Sequence, residues 1–184
     1  MKNFVLWMTF TIGSILSAQA SDRFSVIGGV GMNDALIQSK DIRSTTVLGL
    51  AFQKDLNKQW RLPILGNGHF YLSGEYYHLE GSDEGIDYEL NIIAFKPLAR
   101  FYWDEDKQGP WFYEAAFGLS YFDEKNYEGI RLSTDLQFSM HGGIGWHISD
   151  NSELIMRYNH FSNGYTRRPN HGLDFFSIAY TFGF

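Results

Sequence analysis

Leu136-Gln137-Phe138-Ser139-Met140-His141-Gly142-Gly143-Ile144-Gly145-Trp146-His147-Ile148 alternates in character, with large apolar residues only at even positions and polar residues or glycine at odd ones. Successive side chains of a strand point to opposite faces, so the stretch reads as a strand with one apolar and one polar wall. Residues 111–121 repeat the pattern, with Trp111, Tyr113, Ala115, Phe117, Leu119 and Tyr121 set against Phe112, Glu114, Ala116, Gly118 and Ser120. Working outward, period two recurs in eight segments, near 24–33, 43–54, 68–80, 88–102, 111–122, 134–148, 153–162 and 173–184. Several reach ten residues or more, longer than the ~5–6 usual in soluble sheets and matching the ~9–11 that cross a membrane. Phe176, Ile178, Tyr180, Phe182 and Phe184 share one face at the C-terminal end. The pattern predicts an all-β fold, an eight-stranded antiparallel transmembrane β-barrel of the outer membrane. The sheet closes because lipid leaves an open edge without partners. The alternative is a secreted soluble eight-stranded barrel with its apolar faces turned inward around a ligand cavity.

Composition narrows the function classes. The 184 residues carry a net charge of −6, no Cys, 19 Gly and 17% aromatic residues. The length suits one domain, and the acidic balance argues against nucleic acid, which selects a basic face. Without cysteine there is no disulfide framework, zinc-thiolate site or thiol nucleophile. Residues 1–20 open with Lys2, continue through an apolar run over Phe4–Leu16 and end in Ser17-Ala18-Gln19-Ala20, the pattern of a cleaved secretory signal. Residues 21–184 then form a single barrel domain.

Both termini of an even-stranded barrel lie at one end, normally the periplasmic one. Ser149-Asp150-Asn151-Ser152 reads as a periplasmic turn, and 34–42, 81–87, 123–133 and 163–172 as extracellular loops. Segment 55–67 is long for a periplasmic turn and is expected to pack under the barrel. His141 and His147 read as lumen hydrogen-bonding groups rather than metal ligands, since no ligand partner has matching spacing. Glu75, Glu89 and Glu114 are expected in lumen networks with Arg100 or Arg157. Asp83, Glu84 and Asp87 read as a solvated acidic loop, since the run lacks an EF-hand pattern. His69, His78 and His171 have no partner that the sequence assigns. No metal or other cofactor is expected.

The polar residues on the wrong face carry the chemistry. Leu154, Met156 and Tyr158 define the lipid face of the seventh segment, and the alternation extends it to His160 and Ser162. The even-numbered face of the eighth extends back to Asp174. A polar side chain facing hydrocarbon costs up to a few kcal/mol, less near the interface. Residues i and i+2 of a strand are about 6.6–7 Å apart, a gap an imidazole can bridge to a hydroxyl. A hydroxyl, a base and an orienting carboxylate are the parts of acyl transfer, recognised by geometry rather than chain order. Asn163, Gly164 and Asn170 lie nearby as oxyanion donors. The competing reading places all three polar residues in the headgroup zone as ordinary rim residues. Arg167 and Arg168 hang in the loop between Ser162 and Asp174, where an arginine fork suits phosphate oxygens and a solvated tip is the other reading.

His160-Phe161-Ser162-Asn163-Gly164, followed by Pro169-Asn170-His171-Gly172-Leu173-Asp174, resembles the PagL-type lipid A 3-O-deacylases, in which His-x-Ser-Asn precedes Pro-Asn-x-Gly and an acidic residue. The resemblance implies an eight-stranded outer-membrane barrel that hydrolyses an ester-linked acyl chain of lipid A at its outer wall. It implies Ser162 as nucleophile, His160 as base, Asp174 as acid and Asn170 as an oxyanion residue. The family's usual acid is Glu, and Ala-Gly commonly stands where this chain has Gly164-Tyr165. The implied partners are lipid A or lipopolysaccharide as substrate and the outer membrane as environment, and assembly as a homodimer is compatible with the sequence. Two other classes stay open: a non-catalytic barrel used in structure or adhesion, and a barrel phospholipase or acyltransferase using the same Ser and His.

Overall fold

The computed structural model describes residues 22–32, 42, 44–62, 65–102 and 109–184. The expected signal segment 1–20 and most of the expected loop 34–42 lie outside these. Eight strands close a barrel: β1 (Arg23–Gly31), β2 (Thr46–Leu62), β3 (Gly66–Asp83), β4 (Ile86–Tyr102), β5 (Trp111–Phe122), β8 (Leu136–Ser149), β9 (Ser152–Ser162) and β10 (Leu173–Gly183). A small hairpin, β6 (Asn126–Tyr127) and β7 (Ile130–Arg131), stands outside the ring. Every barrel strand pairs antiparallel with its neighbours, and β1 against β10 completes the closure. No edge is left, which is the condition for a sheet in lipid.

The apolar faces point outward. Val26, Leu48, Ile93, Phe117, Ile144, Met156 and Ile178 are all exposed on the outer wall, which excludes the soluble barrel with inward apolar faces. The inside is packed rather than hollow. At one end Tyr77, Phe122, Phe161 and Phe175 fill it, and further along lies a charged layer. In that layer Arg100 donates to Glu114 and Glu153, Arg157 donates to Glu114, and Lys96 pairs with Glu75. Glu114 is therefore paired with both arginines as expected, whereas Glu75 faces the lumen as expected but pairs with Lys96 rather than with Arg100 or Arg157. Glu89 is not part of this network: it falls at an outward position of β4 and is exposed, because the face of β4 is fixed by buried Leu90, Ile92 and Ala94. His78, unassigned in the sequence, lies 2.9 Å from Asn91 Oδ1 and 3.2 Å from Glu80 Oε1 on the outer wall.

Segment 55–67 does not pack under the barrel. Over its described residues, β2 continues to Leu62 paired with β3 from Gly66, with a bulge between Asp55 and Lys58 where Asn57 has φ 52°. The result is a lopsided wall: β2, β3 and β4 have 17, 18 and 17 residues, whereas β1, β9 and β10 have 9, 11 and 11. The other end, opposite the termini, is capped by the 123–135 loop. Its Tyr127, Ile130 and Leu132 are buried in the main core, and Glu128 accepts hydrogen bonds from Ser44 and Thr45.

Candidate active site

The register of the last three barrel strands places the polar outer-wall residues. Asp174 of β10 lies directly opposite His160 of β9, and Met140 of β8 flanks His160 on the other side. Ser162 is two residues further along β9, opposite Phe138. All three project from the outer wall, yet His160, Ser162 and Asp174 are only 2%, 5% and 1% exposed. A buried carboxylate and imidazole are costly unless they satisfy each other, and here they do: His160 Nδ1 is 2.5 Å from Asp174 Oδ1. The shorter Asp174 side chain therefore reaches the ring without help. No hydrogen bond joins Ser162 to His160 in this conformation. Such contacts commonly tighten only when substrate binds.

The loop after Ser162 is built tightly. Asn163 O accepts from the Thr166 backbone N–H (3.1 Å) and hydroxyl (2.8 Å), while Gly164 and Tyr165 have φ of 59° and 62°. Two successive positive φ values are the signature of a type I′ turn, which glycine adopts readily. A Cβ on Gly164 would also sit 2.7 Å from the Phe138 ring, so glycine is required here for space as well as backbone. Asn170 Oδ1 accepts the Asn163 backbone N–H at 2.9 Å. That amide is thereby occupied, and the Asn170 side chain is fixed with its amino group buried and without a hydrogen-bond partner among the described residues. Asn163 Nδ2 donates to Pro169 O (3.3 Å) and Leu132 O (3.4 Å), and Ser133 Oγ donates to Pro169 O (2.7 Å). The cap over the lumen thus buttresses the site loop. Proximity singles out Asn163, and proximity together with the resemblance singles out Asn170, but which donor is engaged and which is unpaired depends on how the loop folds back on itself.

Arg167 and Arg168 are exposed. Arg167 borders a depression of about 380 Å³ with Tyr121 near the end of β5 and Lys125, Ser133 and Thr134 of the neighbouring loop. Among the described residues, no group of three or more His, Asp or Glu could hold a metal ion.

The family model described as Lipid A 3-O-deacylase (PagL) matches residues 46–182. Lipid A deacylase PagL of Pseudomonas aeruginosa (strain PAO1) is 27% identical over 166 residues, covering 90% of this chain and 88% of that protein. Lipid A deacylase PagL of Bordetella bronchiseptica (strain RB50) is 29% identical over 114 residues, covering 61% of this chain and 60% of that one. The crystal structure of the outer membrane enzyme PagL superposes with a TM-score of 0.71 at 20% identity, over 88% of this chain and 99% of that chain. The closed barrel, the outward apolar wall and a family match spanning most of the strands agree: the chain belongs to the lipid A 3-O-deacylase (PagL) family, ester hydrolases of the outer membrane.

Proposed function

We propose that this chain removes an ester-linked acyl chain from lipid A in the outer leaflet, with Ser162 as nucleophile, His160 as general base and Asp174 as the residue that holds the base. The observation that carries the reading is the buried His160–Asp174 pair on a lipid-facing wall, one alternation away from a serine. With Nδ1 engaged by Asp174, Nε2 is the ring nitrogen left for the Ser162 hydroxyl. Ser162 Oγ attacks the ester carbonyl as His160 takes its proton. The carbonyl oxygen becomes an oxyanion, and the open amino group of Asn170 supplies a donor to it. Collapse breaks the bond to the sugar oxygen, which leaves with the proton returned by His160, and an acyl-serine remains. Water, deprotonated by the same imidazole, releases the fatty acid and restores Ser162.

The capped end of the barrel faces the cell exterior in this reading, because lipid A occupies the outer leaflet and the site lies at that end. Residues 1–20 serve as the export signal that delivers the chain there. At the rim depression Lys125 is ion-paired with Asp135 at 3.2 Å, and Arg167 supplies positive charge where the phosphates of lipid A would lie. The deciding experiment is mass spectrometry of lipid A from cells with and without the protein, alongside cells carrying Ser162→Ala. Loss of one hydroxyacyl group only with the unmodified protein is the expected result. Lysophospholipid or a transferred acyl chain instead would assign the site to a phospholipase or acyltransferase.

A further inference from the structure

We infer that Ser133, in the 123–135 cap loop, is a positioning residue of the site: its hydroxyl fixes the Pro169 carbonyl and, through it, the Asn170 amide that meets the oxyanion. The inference rests on the deacylase reading and adds to it a residue from a loop that holds neither the nucleophile nor its base.

A donor to an oxyanion works only if it is already in place, within about 0.5 Å of the productive geometry. Asn170 sits in a stretch with little backbone support. Among the described residues, no backbone–backbone hydrogen bond engages Arg167, Arg168, Pro169 or Asn170. Side chains hold the stretch instead. Asn170 Oδ1 accepts the Asn163 backbone N–H, and the Pro169 carbonyl just before it accepts two hydrogen bonds. Ser133 Oγ donates to that carbonyl at 2.7 Å, the optimum for a hydroxyl. Asn163 Nδ2 donates to it at 3.3 Å and to Leu132 O at 3.4 Å, both longer than the usual ~2.7–3.2 Å for an amide. The Ser133 bond is therefore the main restraint on the peptide unit that joins Pro169 to Asn170.

Ser133 is itself presented from a fixed base. Its φ is 66°, a left-handed conformation that glycine adopts freely and serine seldom does. Residues held in such regions cluster at functional sites, where the side chain is needed in spite of the strain. The turn around Ser133 is stapled to the barrel. Thr134 N–H donates to Leu132 O at 2.8 Å, and Gln137 Nε2 donates to Leu132 O and to Thr134 Oγ1 at 3.1 Å each. Gln137 is buried on the inward face of β8, and the Leu132 side chain lies in the main core. A short path thus runs from the lumen to the donor: Gln137, the Leu132–Thr134 turn, Ser133 Oγ, Pro169 O and Asn170. Removing the hydroxyl leaves the turn in place and frees the peptide beside Asn170.

The test uses the purified full barrel, its fold checked by heat-modifiable migration. kcat and KM on lipid A are measured for wild type, Ser133→Ala, Ser133→Gly, Asn170→Ala, Ser133→Ala with Asn170→Ala, and Ser162→Ala. A misplacement of about 1 Å costs up to ~10²-fold in rate, so Ser133→Ala should lower kcat roughly tenfold with KM changed by less than about twofold. Ser133→Gly should match it, because glycine relieves the backbone and equally lacks the hydroxyl. Residues that act through one another do not contribute independently, so the double variant should be slower than Asn170→Ala by no more than about twofold. Four results overturn the assignment: unchanged kcat in both Ser133 variants, wild-type kcat in Ser133→Gly alone, losses that multiply in the double variant, or an Asn170→Ala chain as active as wild type. With Ser162→Ala inactive, each of these leaves the deacylase reading standing. An inactive wild-type chain, or an active Ser162→Ala, overturns that reading and the role of Ser133 with it.

Discussion

His160, Ser162 and Asp174 are conspicuous because the alternation that makes the wall apolar reaches them and then fails. A carboxylate and an imidazole survive on that wall because each satisfies the other at 2.5 Å. Groups that act as one unit do not contribute additively. Ser162→Ala and His160→Ala should therefore each lower deacylation by roughly 10⁴-fold or more while the barrel still folds. Asp174→Asn should cost less, roughly 10²–10⁴-fold, since it only misorients the base. Full activity in Ser162→Ala would remove the nucleophile. Asn170 permits a sharper experiment because its two amide ends do different things: the oxygen accepts from Asn163 N–H and the amino group is open. Asn170→Asp retains the acceptor and loses the donor. If the donor stabilises the oxyanion, Asn170→Asp should lose as much kcat as Asn170→Ala, roughly 10²–10³-fold, with little change in KM. Retained kcat in the aspartate variant would confine Asn170 to holding the loop.

Among the elements, the strands that meet lipid were legible and their extensions were not. Leu136–Ile148 alternates because one face contacts hydrocarbon and the other a packed lumen. Beyond the membrane both faces of a hairpin meet water, so Lys54 to Gln59 and Gly81 to Asp87 lose their period although the pairing of β2, β3 and β4 continues through them. The same reasoning explains Glu89, whose outward place on β4 only buried Leu90 and Ile92 disclose. The site loop was legible in its residues and not in its bonds, since hydrogen bonding between Asn163, Pro169 and Leu132 depends on two loops meeting. That meeting also brings Arg167 to Lys125 at the rim. A basic residue near an anionic lipid surface gains about 1 kcal/mol. Arg167→Gln with Arg168→Gln should therefore lower kcat/KM on lipid A about tenfold or more, with a clearly smaller loss on a neutral short-chain ester. Equal losses on both substrates would indicate a disturbed loop, and no loss on either would leave the arginines without a role in binding.

For the whole molecule, the barrel in the proposed reading separates stability from catalysis by giving each a side of the sheet. The outer face of β9 and β10 carries the candidate site. The inner face of the same strands, with β3, β4 and β5, carries Lys96, Arg100 and Arg157 against Glu75, Glu114 and Glu153, all buried. Glu114 is the junction: one carboxylate oxygen accepts from Arg100 Nε at 2.9 Å and the other from Arg157 Nε at 2.6 Å. Removing one partner of a buried pair strands a charge, at a cost of about 3–5 kcal/mol, and here two guanidinium groups would share the loss. Glu114→Ala should therefore lower the urea midpoint and the temperature at which the heat-modified band appears. Glu114→Gln, which keeps an acceptor, should lower them less. Because Glu114 points into the lumen from β5, lipid A deacylation per folded molecule in Glu114→Ala should stay within a few-fold of wild type at low temperature. Unchanged stability would mean that the lumen ion pairs contribute nothing to the barrel, and a folded but inactive variant would mean that the charged interior and the outer-wall site are coupled through β9.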